Sequence, residues 1–129
     1  MLPEAETWLR YANEDLATAR VTLAGGRWAA TSLHAQQAAE KALKALWLER
    51  RKLPPPRTHD LVRLAGDLSL PSEWVPEIDA LSRVYLASRY PAALGDDDPP
   101  YGIDEAGAKE HLALAERIFR WTEQRLSTA

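Results

Sequence analysis

Arg89 is the residue of this sequence whose position most suggests chemistry. In a helical repeat it falls about 20° from Ile78, on the stripe that carries apolar residues. Arginine is rarely fully buried without a partner, so two interpretations stay open. In the first interpretation, Arg89 forms an ion pair with Glu40 or a hydrogen bond with a helix-end carbonyl and so locks the fold. In the second, Arg89 binds an anion. Arg83 and Tyr85 would assist the second role, because a planar guanidinium binds phosphate oxygens in a bidentate manner.

The helix predicted before it carries polar groups where apolar ones are expected. Gln36 lies inside an apolar arc, and Glu40 lies at the edge of that arc. A buried amide without a hydrogen bond costs about 1–3 kcal/mol, so another element must meet these groups. The opposite face carries His34, Gln37, Lys41 and Lys44. His34 and Lys41 on that polar face are weaker candidates for ligand binding.

Other classes of site find no support in the sequence. The three histidines, His34, His59 and His111, lie on different predicted elements and lack the spacing of a helical zinc pair. The run 96–98 lacks the glycine and spaced ligands of a calcium loop and is interpreted as a solvated acidic loop, and His111 as an exposed side chain. No cysteine, nucleophile elbow, P-loop or dinucleotide fingerprint occurs. We therefore expect neither a metal nor a cofactor.

Composition limits the class of protein. The chain has 129 residues, which predicts a single domain over residues 1–129. A formal charge of −3 argues against a general duplex-binding surface. No apolar run is long enough to span a membrane, and no secretory signal opens the chain. With the absence of cysteine, this favours a cytoplasmic protein that does not contact the membrane.

Hydrophobic periodicity and helix breakers predict an all-α fold. A first helix begins at Pro3 or Glu4 and ends at Gly25-Gly26, and a second runs from Arg27 or Trp28 to about Arg51. A short helix covers 59–65 with Thr58 as its N-cap, helix four ends at Tyr90, and helix five covers 104–126 with Asp104 as its cap. The simplest arrangement is an antiparallel up-and-down bundle of four main helices plus one short helix.

Residues spread over nearly the whole chain match a known family pattern. They are Trp8, Ala12 and Asp15-Leu16; Ala30, His34, Gln37-Ala38-Ala39-Glu40-Lys41 and Leu43-Lys44-Ala45; Pro55 and Thr58-His59-Asp60-Leu61; and Tyr85, Arg89-Tyr90-Pro91 and Tyr101. In these residues the chain resembles the HEPN domain family (higher eukaryotes and prokaryotes nucleotide-binding). The resemblance implies a helical bundle that usually dimerises. Many members are cytoplasmic prokaryotic proteins encoded beside a minimal nucleotidyltransferase, and some such pairs act as toxin and antitoxin.

The resemblance also implies a catalytic motif, and here the chain departs from the family. Many HEPN proteins are metal-independent ribonucleases whose signature is an arginine followed, after four to six residues, by a histidine. Arg89 matches the arginine, but Leu94, Gly95 and Asp96 occupy the positions expected for the histidine. Only His59 is available as a substitute, and its place at a helix start favours a structural role.

We therefore predict a homodimeric, non-catalytic HEPN protein. It would bind a nucleotide, a nucleic-acid phosphate or a minimal nucleotidyltransferase at a cleft lined by Arg89, with Arg83, Tyr85 and Tyr90 assisting. The alternatives are a ribonuclease toxin that combines Arg89 with a nonstandard base, and a pure interaction subunit. A row of small residues in helix two is interpreted either as packing within the monomer or as a dimer surface: Ala38, Ala42 and Ala45.

Overall fold

The described residues are helical and contain no strand, which confirms the predicted all-α class. The computed structural model describes residues 1–89 and 99–127. The helices are α1 (Pro3–Ala24), α2 (Trp28–Arg51), α3 (Leu61–Asp67), α4 (Val75–Arg89) and α5 (Glu105–Ser127). Short 3-10 turns lie at Ser72–Trp74 and Pro100–Gly102. No helix in these two ranges is long and apolar enough to cross a bilayer.

The central element is α2, which packs against α1, α5, α4 and α3. Its small side chains permit this close approach on several sides. Ala38, Ala42 and Ala45 are completely buried within the monomer. They therefore pack inside the chain, and the alternative that they form a dimer surface is wrong.

The environment of Lys44 differs from the prediction. The sequence places it on the polar face of the second helix, yet the residue is only 6% exposed. Because α2 is surrounded by other helices, that face has no access to solvent at this depth. The ammonium nitrogen instead lies 3.1 Å from Glu40 Oε2 and 5.6 Å from the centre of a ring of Trp8. Lys44 is thus part of a buried polar cluster.

The start of α3 also differs from the prediction, because the N-cap is Asp60 and not Thr58. Asp60 Oδ1 accepts hydrogen bonds from the backbone N–H of Val62 at 3.0 Å and of Arg63 at 3.4 Å. Thr58 Oγ1 accepts from the Asp60 N–H at 3.1 Å and stabilises the turn before the helix. The helix consequently begins after His59, which stays in the preceding turn.

Replacement of Asp60 by alanine tests this assignment. We expect the free energy of unfolding to fall by about 1 kcal/mol, because the first turn loses its acceptor. Thr58→Ala, measured in the same urea denaturation series, should cost less. A larger loss for Thr58→Ala would restore the sequence-based assignment of the cap.

Candidate functional site

Three side chains form a stack at the surface, one from the segment before α3 and two from α4. The ring of His59 lies on the ring of Tyr85, with centroids 3.9 Å apart and an interplanar angle of 19°. The guanidinium carbon of Arg89 lies 4.9 Å from the centre of the same Tyr85 ring. Tyr85 and Arg89 lie one helical turn apart in α4, so their side chains share a face. The stack therefore places an imidazole and a guanidinium against one aromatic ring.

The imidazole is held in place by a buried carboxylate. His59 Nδ1 lies 2.9 Å from Oε1 of Glu40, a residue of α2 that is 8% exposed. A carboxylate accepts, so Nδ1 carries the proton, and in the neutral ring Nε2 is then the basic nitrogen. The His59 side chain is 50% exposed, and Nε2 makes no hydrogen bond with a described residue. The ring is therefore fixed in orientation and leaves one nitrogen for a ligand.

Glu40 is the centre of a polar cluster inside the fold. Besides His59, its carboxylate accepts from Gln36 Nε2 at 3.2 Å and from Lys44 Nζ at 3.1 Å. The segment before α3 thus meets Glu40, whereas Gln36 donates to Glu40 within its own helix and not to another element as expected. The interpretation that Arg89 pairs with Glu40 is wrong, because Glu40 already holds these three partners and forms no hydrogen bond or ion pair with Arg89 among the described residues.

Arg89 lies at the surface and not in the core, which corrects its predicted burial. The inner face of α4 is formed by Ile78, Leu81 and Val84, whereas Tyr85 is only partly buried. Arg89 is the last described residue of α4, and helical side chains lean towards the preceding turn. Its guanidinium therefore lies on Tyr85 instead of entering the core. No carboxylate among the described residues pairs with it.

A cavity of about 410 Å³ opens beside the stack. It is lined by His59, Asp60, Asp79, Ser82, Arg83, Tyr85 and Leu86. Arg83 Nη2 lies 2.9 Å from Asp79 Oδ2 in an exposed pair. Such pairs contribute about 0–1 kcal/mol, so Arg83 can exchange partners, although part of its charge is offset. Arg83 and Tyr85 thus both line this cavity, and Arg89 lies against the ring of Tyr85.

The remaining predicted site residues lie elsewhere or outside the described ranges. His34 Nδ1 lies 3.0 Å from Oδ1 of Asp15, and Lys41 Nζ lies 2.6 Å from its Oδ2. Asp15 belongs to α1, so both residues join α1 to α2, and neither forms a hydrogen bond or ion pair with a described member of the stack. Tyr90 and the acidic run 96–98 lie outside the described residues.

His111 is not the exposed side chain that the sequence suggested. Its Nδ1 lies 2.7 Å from the hydroxyl of Ser32, which is completely buried. Burial of the imidazole lowers the pKa of His111, and the nearby Glu110 carboxylate offsets part of this effect. The ring therefore resists protonation in the folded state. Among residues 1–89 and 99–127, no group of three potential ligands is arranged for a metal ion.

The lowered pKa of His111 predicts a pH dependence of stability. The unfolded state binds a proton near the ordinary histidine pKa of about 6.5, whereas the folded state resists it. The free energy of unfolding should thus be highest above that pH and fall as the pH drops from about 7.5 to 5. Urea denaturation of His111→Asn should show a smaller decrease over this range. An equal decrease in both proteins would contradict the assignment.

A model of the HEPN domain family matches residues 5–125 of the sequence. The chain belongs to the HEPN family. Among solved structures, TT1696 from Thermus thermophilus is 31% identical, with a TM-score of 0.83 over 95% of this chain and 98% of that one. ST0689, described as an archaeal HEPN homologue, is 30% identical, with a TM-score of 0.77 over 94% and 96% of the two chains. The curated proteins give no match.

For this HEPN protein, His59 is the site residue that sequence reasoning undervalues. Its position before a helix favours a structural role. The structure gives it a hydrogen bond with Glu40, in line with that role, and also holds it half-exposed, stacked on Tyr85 beside the cavity. The T-H-D-L segment is part of the HEPN resemblance and is the signal that could have identified it. The positions expected for the signature histidine, 94–96, lie outside the described residues.

Proposed function

We propose that this HEPN protein binds the phosphate group of a nucleotide or of single-stranded RNA at the stack of His59, Tyr85 and Arg89. The observation that carries the proposal is the position of Arg89, held on Tyr85 with no carboxylate partner among the described residues. A guanidinium in this state keeps its donors for an anion. The ring of Tyr85 covers one face of the planar guanidinium and leaves the N–H groups along the guanidinium edge for phosphate oxygens.

The neighbouring charges support a small site over an extended nucleic-acid surface. The carboxylate of Asp60 caps α3, and that of Asp79 faces Arg83. These acidic groups limit the net positive charge of the cavity. Only one or two phosphates can be neutralised by Arg89 and Arg83, which suits a mononucleotide or a short single-stranded segment.

Titration calorimetry tests this function. A nucleoside 5′-monophosphate and a short 5′-phosphorylated RNA should bind, whereas the corresponding nucleoside should bind at least about tenfold more weakly. For the RNA, the slope of log K against log salt should be about −0.7 to −1.4, the value for one or two phosphate contacts. Equal binding of nucleotide and nucleoside would contradict a phosphate site, and a steep slope would indicate a wider surface.

A ribonuclease that uses His59 as its base is the second candidate. The Glu40–His59 hydrogen bond favours it, because this bond orients an imidazole whose Nε2 is available to accept a proton from a ribose 2′-hydroxyl. Arg89 would stabilise the charge that develops on the phosphate. Incubation of RNA with the pure protein in a metal chelator tests this candidate. Cleavage lost in His59→Ala would support the enzyme; intact RNA together with nucleotide binding would support the non-catalytic protein.

The proposal also includes two protein partners, a second copy of the chain and a nucleotidyltransferase. We propose a homodimer and, by analogy with family members encoded beside such enzymes, a complex with a minimal nucleotidyltransferase in a toxin–antitoxin-like pair. Light scattering of the pure protein and co-purification from the native host test these two points. A complex that forms without any nucleotide or RNA binding would instead favour the pure interaction subunit.

A further inference from the structure

An apolar groove adjoins Arg89 on the side of the first turn of α2. It has a volume of about 400 Å³ and is lined by Ala29, Ala30, Leu33, Val84, Tyr101 and Ile103, together with Ser88 and Arg89. We call it the α2–α4 groove. The hydroxyl of Ser88 donates to the backbone oxygen of Tyr85 at 2.7 Å, so its hydrogen is already engaged. Arg89 is thus the one charged side chain that lines the groove among the described residues.

Tyr101 borders this groove in an unusual backbone conformation. Its φ is 60° and its ψ is 17°, in the left-handed region that costs a residue with a β-carbon about 1–2 kcal/mol. The residue is 41% exposed, so its ring is accessible at the surface beside the groove. Strain of this kind is concentrated at ligand sites, where it positions a side chain. A second concavity shares Ala29, Ala30, Tyr101 and Ile103 with the groove, which makes the apolar surface continuous past the tyrosine.

We infer that the α2–α4 groove binds the base of the nucleotide whose phosphate Arg89 contacts. The inference rests on the proposed phosphate site and adds the position of the base. A groove with apolar walls and one guanidinium at its edge suits a ligand with a flat, weakly polar body and one anionic group. Ala29 and Ala30 leave room for a ring, and Tyr101 supplies an aromatic surface for stacking that does not depend on the base.

A comparison of two ligands separates the base site from the phosphate site. Adenosine 5′-monophosphate and ribose 5-phosphate carry the same phosphate, but only the first carries a base. By calorimetry, the wild-type protein should bind adenosine 5′-monophosphate about tenfold more tightly than ribose 5-phosphate. This is the gain in affinity expected from stacking of one base. Equal affinities would overturn the base site and leave the phosphate site intact. Absence of binding by both ligands would overturn the two together.

Two variants of Tyr101 supply the matched test. Tyr101→Asn removes the ring but tolerates the left-handed backbone, so we expect it to fold and to bind both ligands with equal affinity. Tyr101→Phe keeps the ring and should keep the tenfold preference. The inference fails if Tyr101→Asn retains the preference. In that case, light scattering shows whether Tyr101→Asn also separates a dimer. A separated dimer would mean that a second copy of the chain, and not a base, occupies the groove.

Discussion

Replacing Glu40 with alanine is expected to lower the free energy of unfolding by about 3–5 kcal/mol. The side chain of Lys44 is only 8% exposed, and its ammonium group would lose the carboxylate that compensates its charge. His59 and Gln36 would lose the same acceptor. Chemical denaturation in urea, followed by circular dichroism, measures the loss.

The double variant Glu40→Ala, Lys44→Met is the control for this mechanism. It removes both buried charges, so it should recover a large part of the stability lost in Glu40→Ala. Glu105→Ala provides a matched exposed carboxylate, since Glu105 is half-exposed in a pair with Lys109, and should cost less than about 1 kcal/mol. If Glu40→Ala costs no more than Glu105→Ala, Glu40 is not the anchor of the cluster.

Replacing Arg89 with alanine should weaken the binding of a nucleoside 5′-monophosphate by about 10- to 150-fold. This range corresponds to about 1.5–3 kcal/mol, the contribution of a hydrogen bond to a charged group. Arg89→Lys should recover only part of the affinity, because an ammonium group cannot form the bidentate contact. Isothermal titration calorimetry measures both effects.

Arg120→Ala is the matched control for Arg89→Ala. Arg120 is an exposed arginine of α5, and its nearest carboxylate oxygen, on Glu116, is 3.9 Å away. Its removal changes the net charge of the protein by the same amount without touching the stack. An equal loss of affinity in both variants would mean that binding follows overall charge and not the Arg89 site.

The helices were predictable because their signals are local. Pro3 begins α1, the two glycines at 25–26 follow its end, and the Asp104 carboxylate accepts from the Gly107 N–H at 2.8 Å, as expected for a cap. Periodicity, however, divides a helix into one buried and one exposed face. It misplaced Lys44 because α2 is enclosed by other helices, and that arrangement is a property of the packed fold.

The candidate site was predictable in its α4 residues but not in its geometry. Arg83, Tyr85 and Arg89 were identified from residue type and helical spacing. The hydrogen bond between Glu40 and His59 was not predictable. His59 lies on the far side of a non-helical segment, and no local spacing relates the two residues. The exposure of Arg89 depends on how its side chain leans onto Tyr85, which a helical projection does not describe.

The most direct test of the phosphate site observes the side chain of Arg89 itself. In a ¹⁵N NMR titration with adenosine 5′-monophosphate, the Arg89 Nε–H resonance should shift and saturate, while that of Arg120 stays unchanged. Adenosine at the same concentration should move the Arg89 resonance far less. An Arg89 resonance that does not respond while the nucleotide binds would contradict the account, because the phosphate would then be bound elsewhere.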